Sequence, residues 1–196
     1  MDDDADARVR ERLARDLDGG FRELVAAHGG TVRLTALRLT GHAQDAEDLA
    51  AECLLRAFRG MVGRPPEWFA DVDLRAWLLT ILLNTWRNEL RTRSRRPRTT
   101  GEDHLDERTE AVGPPATSPD ARAEAAATRT DLAARLAVLT PRQREAVVLR
   151  HVLDLPIAEV ARILDTPEGT AKSHVSRGLS ALRASYLHSP DTEGAR

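Results

Sequence analysis

The sequence predicts an all-α chain of two small helical domains joined by a flexible acidic linker. Three observations carry this. Leu- and Ala-rich stretches with helical periodicity run from Phe21 to about Arg96 and again from about Asp131 to Leu187. The stretch between them is polar and holds Gly101, Gly113, Pro114, Pro115 and Pro119. Val, Ile and Thr nowhere alternate with polar residues for long enough to make a strand. The expected division is an acidic tail over 1–18, a helical domain over 19–97, a linker over 98–128, a helix-turn-helix domain over 129–188, and a tail over 189–196.

Bulk properties narrow the class. The formal net charge of the 196 residues is only -2, which argues against a simple polycation. One cysteine, Cys53, excludes an intrachain disulfide. The acidic start MDDDADARVR lacks the basic and apolar segments of a secretory signal. The longest apolar stretch, Trp77 to Leu83, falls far short of the ~20 residues of a membrane helix. A cytoplasmic protein with no membrane insertion is expected. Six scattered histidines and one cysteine give no zinc-ligand spacing, so no metal and no cofactor are expected. Phosphate-loop, nucleophile-elbow and kinase signatures are missing as well, so the chain reads as no enzyme.

Charge is strongly local. Over 86–98, six arginines (87, 91, 93, 95, 96 and 98) face only Glu89, a net of +5. Over 99–128, seven carboxylates face Arg108 and Arg122, a net of -5. A basic helix end therefore runs straight into an acidic tether.

In the N-terminal half, Phe21, Leu24 and Val25 start a helix that His28-Gly29-Gly30 is expected to break or bend, while the acidic residues before it are expected to be disordered. Ala46, Leu49, Ala50, Cys53, Leu54, Ala57 and Phe58 then recur at helical spacing, with Asp45, Asp48 and Glu52 on the other side. By themselves these carboxylates read as a solvated face. A loop from Gly60 to Asp73 carries Trp68 and Phe69, which either stack on an unpaired base or pack onto the domain. Leu74, Trp77, Leu78 and Ile81 form the apolar stripe of the next helix, so Trp77 belongs to the core; Trp86 has no clear side. This helix leads into Asn84, Arg87, Asn88 and Arg91. Arginines along a helix end attract phosphates, and Asn side chains hydrogen-bond extruded bases.

In the C-terminal half, Thr140-Pro141-Arg142-Gln143 is a helix start with an N-cap, an N1 proline and a capping box. Ala146, Val147, Val148, Leu149 and Val152 make that helix mostly buried, and Asp154-Leu155-Pro156 ends it. Ile157, Val160, Ala161 and Leu164 give a short amphipathic helix. The turn Asp165-Thr166-Pro167-Glu168 leads to a longer helix with Ala171, Val175, Gly178 or Leu179, and Leu182 inward. Thr170, Lys172, Ser173, Ser176 and Arg177 face outward. This is a helix-turn-helix pattern whose small hydroxyls permit close approach, while Lys172 and Arg177 reach phosphates or guanine edges. On periodicity alone, an ordinary helical hairpin remains an equal alternative.

The wording of two segments decides further. LTPRQREAVVLRHVLDLPIAEVARILDTPEGTAKSHVSRGLSALR closely resembles region 4 of the extracytoplasmic-function (ECF) sigma factors, the compact branch of bacterial RNA polymerase sigma subunits. RLTGHAQDAEDLAAECLLRAF resembles region 2 of the same family, with Ala51 where glutamine is usual. The resemblance implies that Asp45, Glu47, Asp48 and Glu52 dock on core RNA polymerase. It implies that Asn84, Arg87, Asn88 and Arg91 read and open the −10 element, and that Thr170, Lys172, Ser173, Ser176 and Arg177 contact the −35 element. Promoter DNA, core polymerase and a cognate anti-sigma factor are the implied partners. The residues around 174 to 180 are smaller and less basic than is usual in the family, so fewer phosphate contacts are expected. The alternative function is that of a conventional helix-turn-helix transcriptional regulator acting without sigma activity.

Overall fold

The computed structural model describes residues 2–95, 132 and 135–187, and every regular element among them is helical. The elements are α1 (Asp2–Arg15), α2 (Leu17–Thr40), α3 (Ala43–Met61), α4 (Pro66–Asp71), α5 (Leu74–Arg95), α6 (Pro141–Val147), α7 (Ile157–Leu164) and α8 (Glu168–Leu187), with a π-helical turn over Val148–Val152 after α6. Arg96, Arg98 and the expected linker lie outside the described residues.

Two expectations for the N-terminal half are corrected. The acidic start is not a disordered tail: it forms α1, with Val9 and Leu13 buried against the rest of the half. Nor does α2 break at His28-Gly29-Gly30; it runs unbroken for 24 residues. The reason for both lies in packing between these helices. His28 Nε2 meets Asp6 Oδ1 of α1 at 2.9 Å, and a Cβ on Gly20 would lie 2.5 Å from the Leu13 backbone nitrogen, so glycine there lets the two backbones touch. Glycine in a helix costs about 1 kcal/mol relative to Ala, and tertiary burial routinely outweighs that. Asp16 caps α2 by accepting from the Gly19 amide, and Gly41, in the left-handed region at φ 82°, ends it.

Helix α3 buries Ala46, Leu49, Ala50, Cys53, Ala57 and Met61 against α2 and α5. The expected loop from Gly60 to Asp73 contains the short helix α4, and its aromatics are packed rather than free. Phe69 is buried, and Trp68 stacks edge-on between Phe69 and Trp77 at 5.1 and 5.3 Å, covered by Arg64. Trp77 packs partly buried against the core, and Trp86 is buried.

The C-terminal half follows the expected pattern. Thr140 and Gln143 form the capping box. Asp154 and Asp165, at φ 52° and 54°, make the two sharp exits, a conformation that Asp tolerates better than most residues. Gly178 is explained by contact: a Cβ there would lie 2.6 Å from Val147 Cγ2, so α8 crosses α6 at a glycine. The apolar core is continuous across the halves, running from Leu82 and Trp86 into Ala146, Leu149, Val160 and Leu164. A second small cluster joins Leu136, Leu139, Val147 and Val148.

Candidate polymerase and DNA-contact surfaces

The first candidate surface is the outer side of α3. Glu47 and Asp48 are exposed there. Glu52 pairs with Arg56 at 2.6 Å, and Asp45 pairs with Arg93 of α5 at 3.1 Å. Glu89 of α5 sits close by. Its burial, and then the negative charges of Asp45, Asp48 and Glu52, push its carboxyl above the ordinary value against the pull of Arg93. The structure therefore gathers three of the four predicted carboxylates, Asp45, Asp48 and Glu52, around Glu89 of α5, which sequence reasoning had left among the arginines; Glu47 is exposed on α3 but is not among them.

The second surface is the edge of α5. Asn84, Arg87, Asn88 and Arg91 fall at i, i+3, i+4 and i+7, so one face carries all four. Arg87 donates to Asn84 Oδ1 at 3.2 Å, and Arg91 donates to Asn88 Oδ1. Three of the four are solvent-exposed. Arg87 is the exception. Its Nε and Nη2 both donate at 2.7 Å to the carboxylate of Glu145 on α6, a bidentate pair in which Glu145 is 0% exposed. Arg142 adds a third contact to Glu145 at 3.2 Å.

That pair belongs to a seam between the halves. At the other end of α5, Arg162 of α7 meets Asp73 at 2.5 Å. Burial alone would raise the Asp73 carboxyl; the Ala76 amide and Arg162 hydrogen bonds, with the charges of Arg162 and Arg75, bring it below its ordinary value. Arg75 donates to the Leu153 carbonyl at 3.3 Å. Arg144 donates to the Leu39 carbonyl at 2.6 Å beside the Trp86 ring, and burial lowers its pKa. Sequence reading had registered Arg144 and Glu145 only as part of a motif, because a cross-domain ion pair leaves no periodic trace.

The third surface is the outer face of α8. Thr170, Lys172, Ser176 and Arg177 are exposed, and Ser173 is half-buried with its hydroxyl donating to the Gly169 carbonyl. Lys172 lies 3.9 Å from Glu168, a loose surface contact. Arg150, His151 and Arg183 border the same shallow groove, extending its basic character beyond the predicted residues.

Comparison with known proteins matches these halves one by one. Residues 24–96 match the Sigma-70 region 2 family model, and residues 129–182 match Sigma-70, region 4. Relatives include the ECF RNA polymerase sigma factor SigL of Mycobacterium tuberculosis, 33% identical over 83% of this chain and 86% of its own length. The chain belongs to the ECF RNA polymerase sigma factors. The sigma factor SigE of Mycolicibacterium smegmatis is 35% identical over 87% of this chain. The chain spans 63% of SigE and about half, 48%, of SigG of M. tuberculosis. Among solved structures, CnrH in complex with the cytosolic domain of CnrY shares the fold at a TM-score of 0.66, with 22% identity and coverage of 94% of this chain and 99% of that one. The sigma factor RpoE of Bartonella quintana, in complex with the anti-sigma factor NepR, matches at 0.63, with 26% identity over 86% of this chain and 97% of its own. No helix among the described residues of this sigma factor is long and apolar enough to cross a membrane.

Proposed function

We propose that this sigma factor directs promoter-specific transcription initiation in the cytoplasm, binding core RNA polymerase and the −10 and −35 elements. The observation that carries the reading is the occurrence of both sigma regions, in order, in one chain whose α8 presents an open polar and basic face. Asp45, Glu47, Asp48 and Glu52 dock on the polymerase. Asn84, Arg87, Asn88 and Arg91 engage the −10 element, where arginines hold phosphates and asparagines hydrogen-bond bases. Thr170, Lys172, Ser173, Ser176 and Arg177 enter the −35 major groove. The phosphodiester chemistry belongs to the polymerase, and this chain catalyses no reaction. An anti-sigma protein is a further partner, a reading supported by the complex of the related sigma factor RpoE with the anti-sigma factor NepR.

Run-off transcription with purified bacterial core polymerase, on fragments from the protein's own upstream region, tests this. Promoter-specific transcripts are expected with the protein and not without it, and they should disappear when Asp48 and Glu52 are both changed to Lys. Both carboxylates are on the outer side of α3, so the reversal leaves the core intact. No transcript together with tight binding of the free protein to duplex DNA would instead identify a conventional helix-turn-helix regulator.

A further inference from the structure

Every charged side chain lining the groove between the π-helical turn and α8 is basic. Arg150 and His151 stand on the turn, and Lys172 and Arg183 on α8. Between these rims the floor is apolar, made by Ile157, Val175 and Leu179. Lys172, Ser176, Ser180 and Arg183 fall at i, i+4, i+8 and i+11, so one flank of α8 carries all four, and all four are exposed. His151 is exposed opposite them.

The carboxylates nearby stand outside this lining. Asp154 meets Arg150 at 3.2 Å, and Glu168 approaches Lys172 only to 3.9 Å. The other elements packed on the turn bring no countercharge. Helix α6 commits Arg142 and Glu145 to each other and to Arg87, and Arg144 to the Leu39 carbonyl. Helix α7 contributes only Ile157 to the groove, and α2 contributes nothing. Among the lining residues His151 therefore faces Arg150, Lys172 and Arg183 and no acid.

An apolar floor between basic rims suits a chain that alternates apolar rings with anions, which is the construction of a sugar–phosphate backbone. The hydroxyls of Ser176 and Ser180 add neutral donors to phosphate oxygens. Arg183 lies eleven residues beyond Lys172, roughly 16 Å along a helix, long enough to follow several successive phosphates of one strand. Lys172 and Ser176 already belong to the face assigned to the −35 element. The groove continues that face and does not open a separate one.

We propose that this groove seats the sugar–phosphate backbone of duplex DNA flanking the bases read by α8, with Arg183 and His151 as phosphate ligands, and that His151 makes the contact proton-dependent. This rests on the reading of α8 as the DNA face. Phosphate brings negative charge to the imidazole, so the complex favours the imidazolium and binding takes up a proton. Duplex is then bound more tightly as pH falls through the range in which imidazoles titrate. Arginine and lysine contacts release counterions without a proton, so they set the salt dependence and not the pH dependence.

The test uses the full chain and a fluorescently labelled 30-base-pair duplex, with anisotropy read from 20 to 200 mM NaCl at pH 6.0 and pH 8.0. The parent chain should bind about three- to tenfold more tightly at pH 6.0. His151→Gln should abolish that ratio. Arg183→Ala should keep the ratio, weaken binding about three- to tenfold at both pH values, and lower the slope of log affinity against log salt by about 1. Both side chains are exposed, so folding is not at stake. Arg177→Ala, on the other flank of α8, tests the underlying reading and should weaken binding without changing the pH ratio.

Weaker binding by Arg177→Ala with no change in Arg183→Ala or His151→Gln would overturn the groove and keep α8 as the DNA face. No effect from any of the three would remove that reading too. A pH ratio that survives His151→Gln would overturn the proton link, and a parent chain that leaves the duplex unbound at 20 mM NaCl would overturn the groove. A 20-residue poly-Glu peptide is the second probe. Should it bind as tightly as the duplex, with the same dependence on Arg183 and His151, the groove belongs to an acidic chain and the backbone assignment falls.

Discussion

The edge of α5 and the outer face of α8 are alike in sequence and unlike in structure. Both set polar and basic side chains along one face of a long helix. On α8 the basic groups are exposed, with Lys172 held only by a loose contact to Glu168. On α5 the central arginine is bound bidentately to a carboxylate 58 residues further along the chain. Composition and spacing report which residues share a face. They do not report which of them another part of the chain has already taken.

Substituting the two arginines should separate the surfaces most clearly. Arg87→Ala leaves Glu145 buried with only Arg142 as counter-charge, and removing one partner of a buried pair costs about 3 kcal/mol or more. Arg177→Ala, on an exposed helix face, should stay within about 0.5 kcal/mol. Urea denaturation checks both values. Equal midpoints for the two variants would mean that Arg87 is as free as Arg177, and the contrast between the helices would collapse.

The glycines sharpen the comparison at the next scale. Gly178 lies where α8 crosses α6, and a methyl there must displace the Val147 side chain. Gly178→Ala should destabilise by about 1–2 kcal/mol, the overpacking cost less the gain in helix propensity. Gly30 has open space around its missing Cβ in the middle of α2. Gly30→Ala should stabilise by about 0.5–1 kcal/mol. Thermal unfolding of both variants against the parent chain gives the signs, which should be opposite.

Much of this was legible in the residues, for reasons that are local. Capping boxes, N1 prolines and the 3.6-residue stripe are encoded within a turn or two, so α3, α6, α7 and α8 are where the pattern put them. The two failures have a common cause. MDDDADARVR reads as a solvated tail, and His28-Gly29-Gly30 reads as a break, until the two segments meet: Asp6 pairs with His28, and Gly20 lets the Leu13 backbone in. Neither segment announces its partner, because the contact spans 22 residues and involves one residue from each side. The same holds for Trp68, whose two ring neighbours turn an apparently open loop into part of the core. Asp45, Asp48 and Glu52 of α3 and the four polar groups of α5 each share a face that helical spacing makes visible, whereas Glu47 joined the carboxylates only through the resemblance. The seam residues Asp73, Arg144, Glu145 and Arg162 were not singled out, because cross-domain partners have no spacing.

Cys53 supplies a reporter confined to the N-terminal half. Its thiol is fully buried between α3 and α5, with Sγ 3.6 Å from the Leu78 carbonyl oxygen. Burial, only partly opposed by Arg56, pushes its pKa up to about 12. In the unfolded chain the thiol ionises near its ordinary value of 9.0. Between these limits the folded chain holds a proton that the unfolded chain has lost, so stability falls as pH rises, by about 1.4 kcal/mol per unit from pH 9 upward, and does not change on this account below it. Iodoacetamide should therefore label Cys53 slowly at pH 8 and faster above pH 9, in step with unfolding of the N-terminal half. The same probe distinguishes opening from melting in Arg87→Ala. If the halves merely part, Cys53 stays protected while the C-terminal half moves away; if labelling accelerates at pH 8, the Arg87–Glu145 pair was holding the N-terminal fold together and not only the seam.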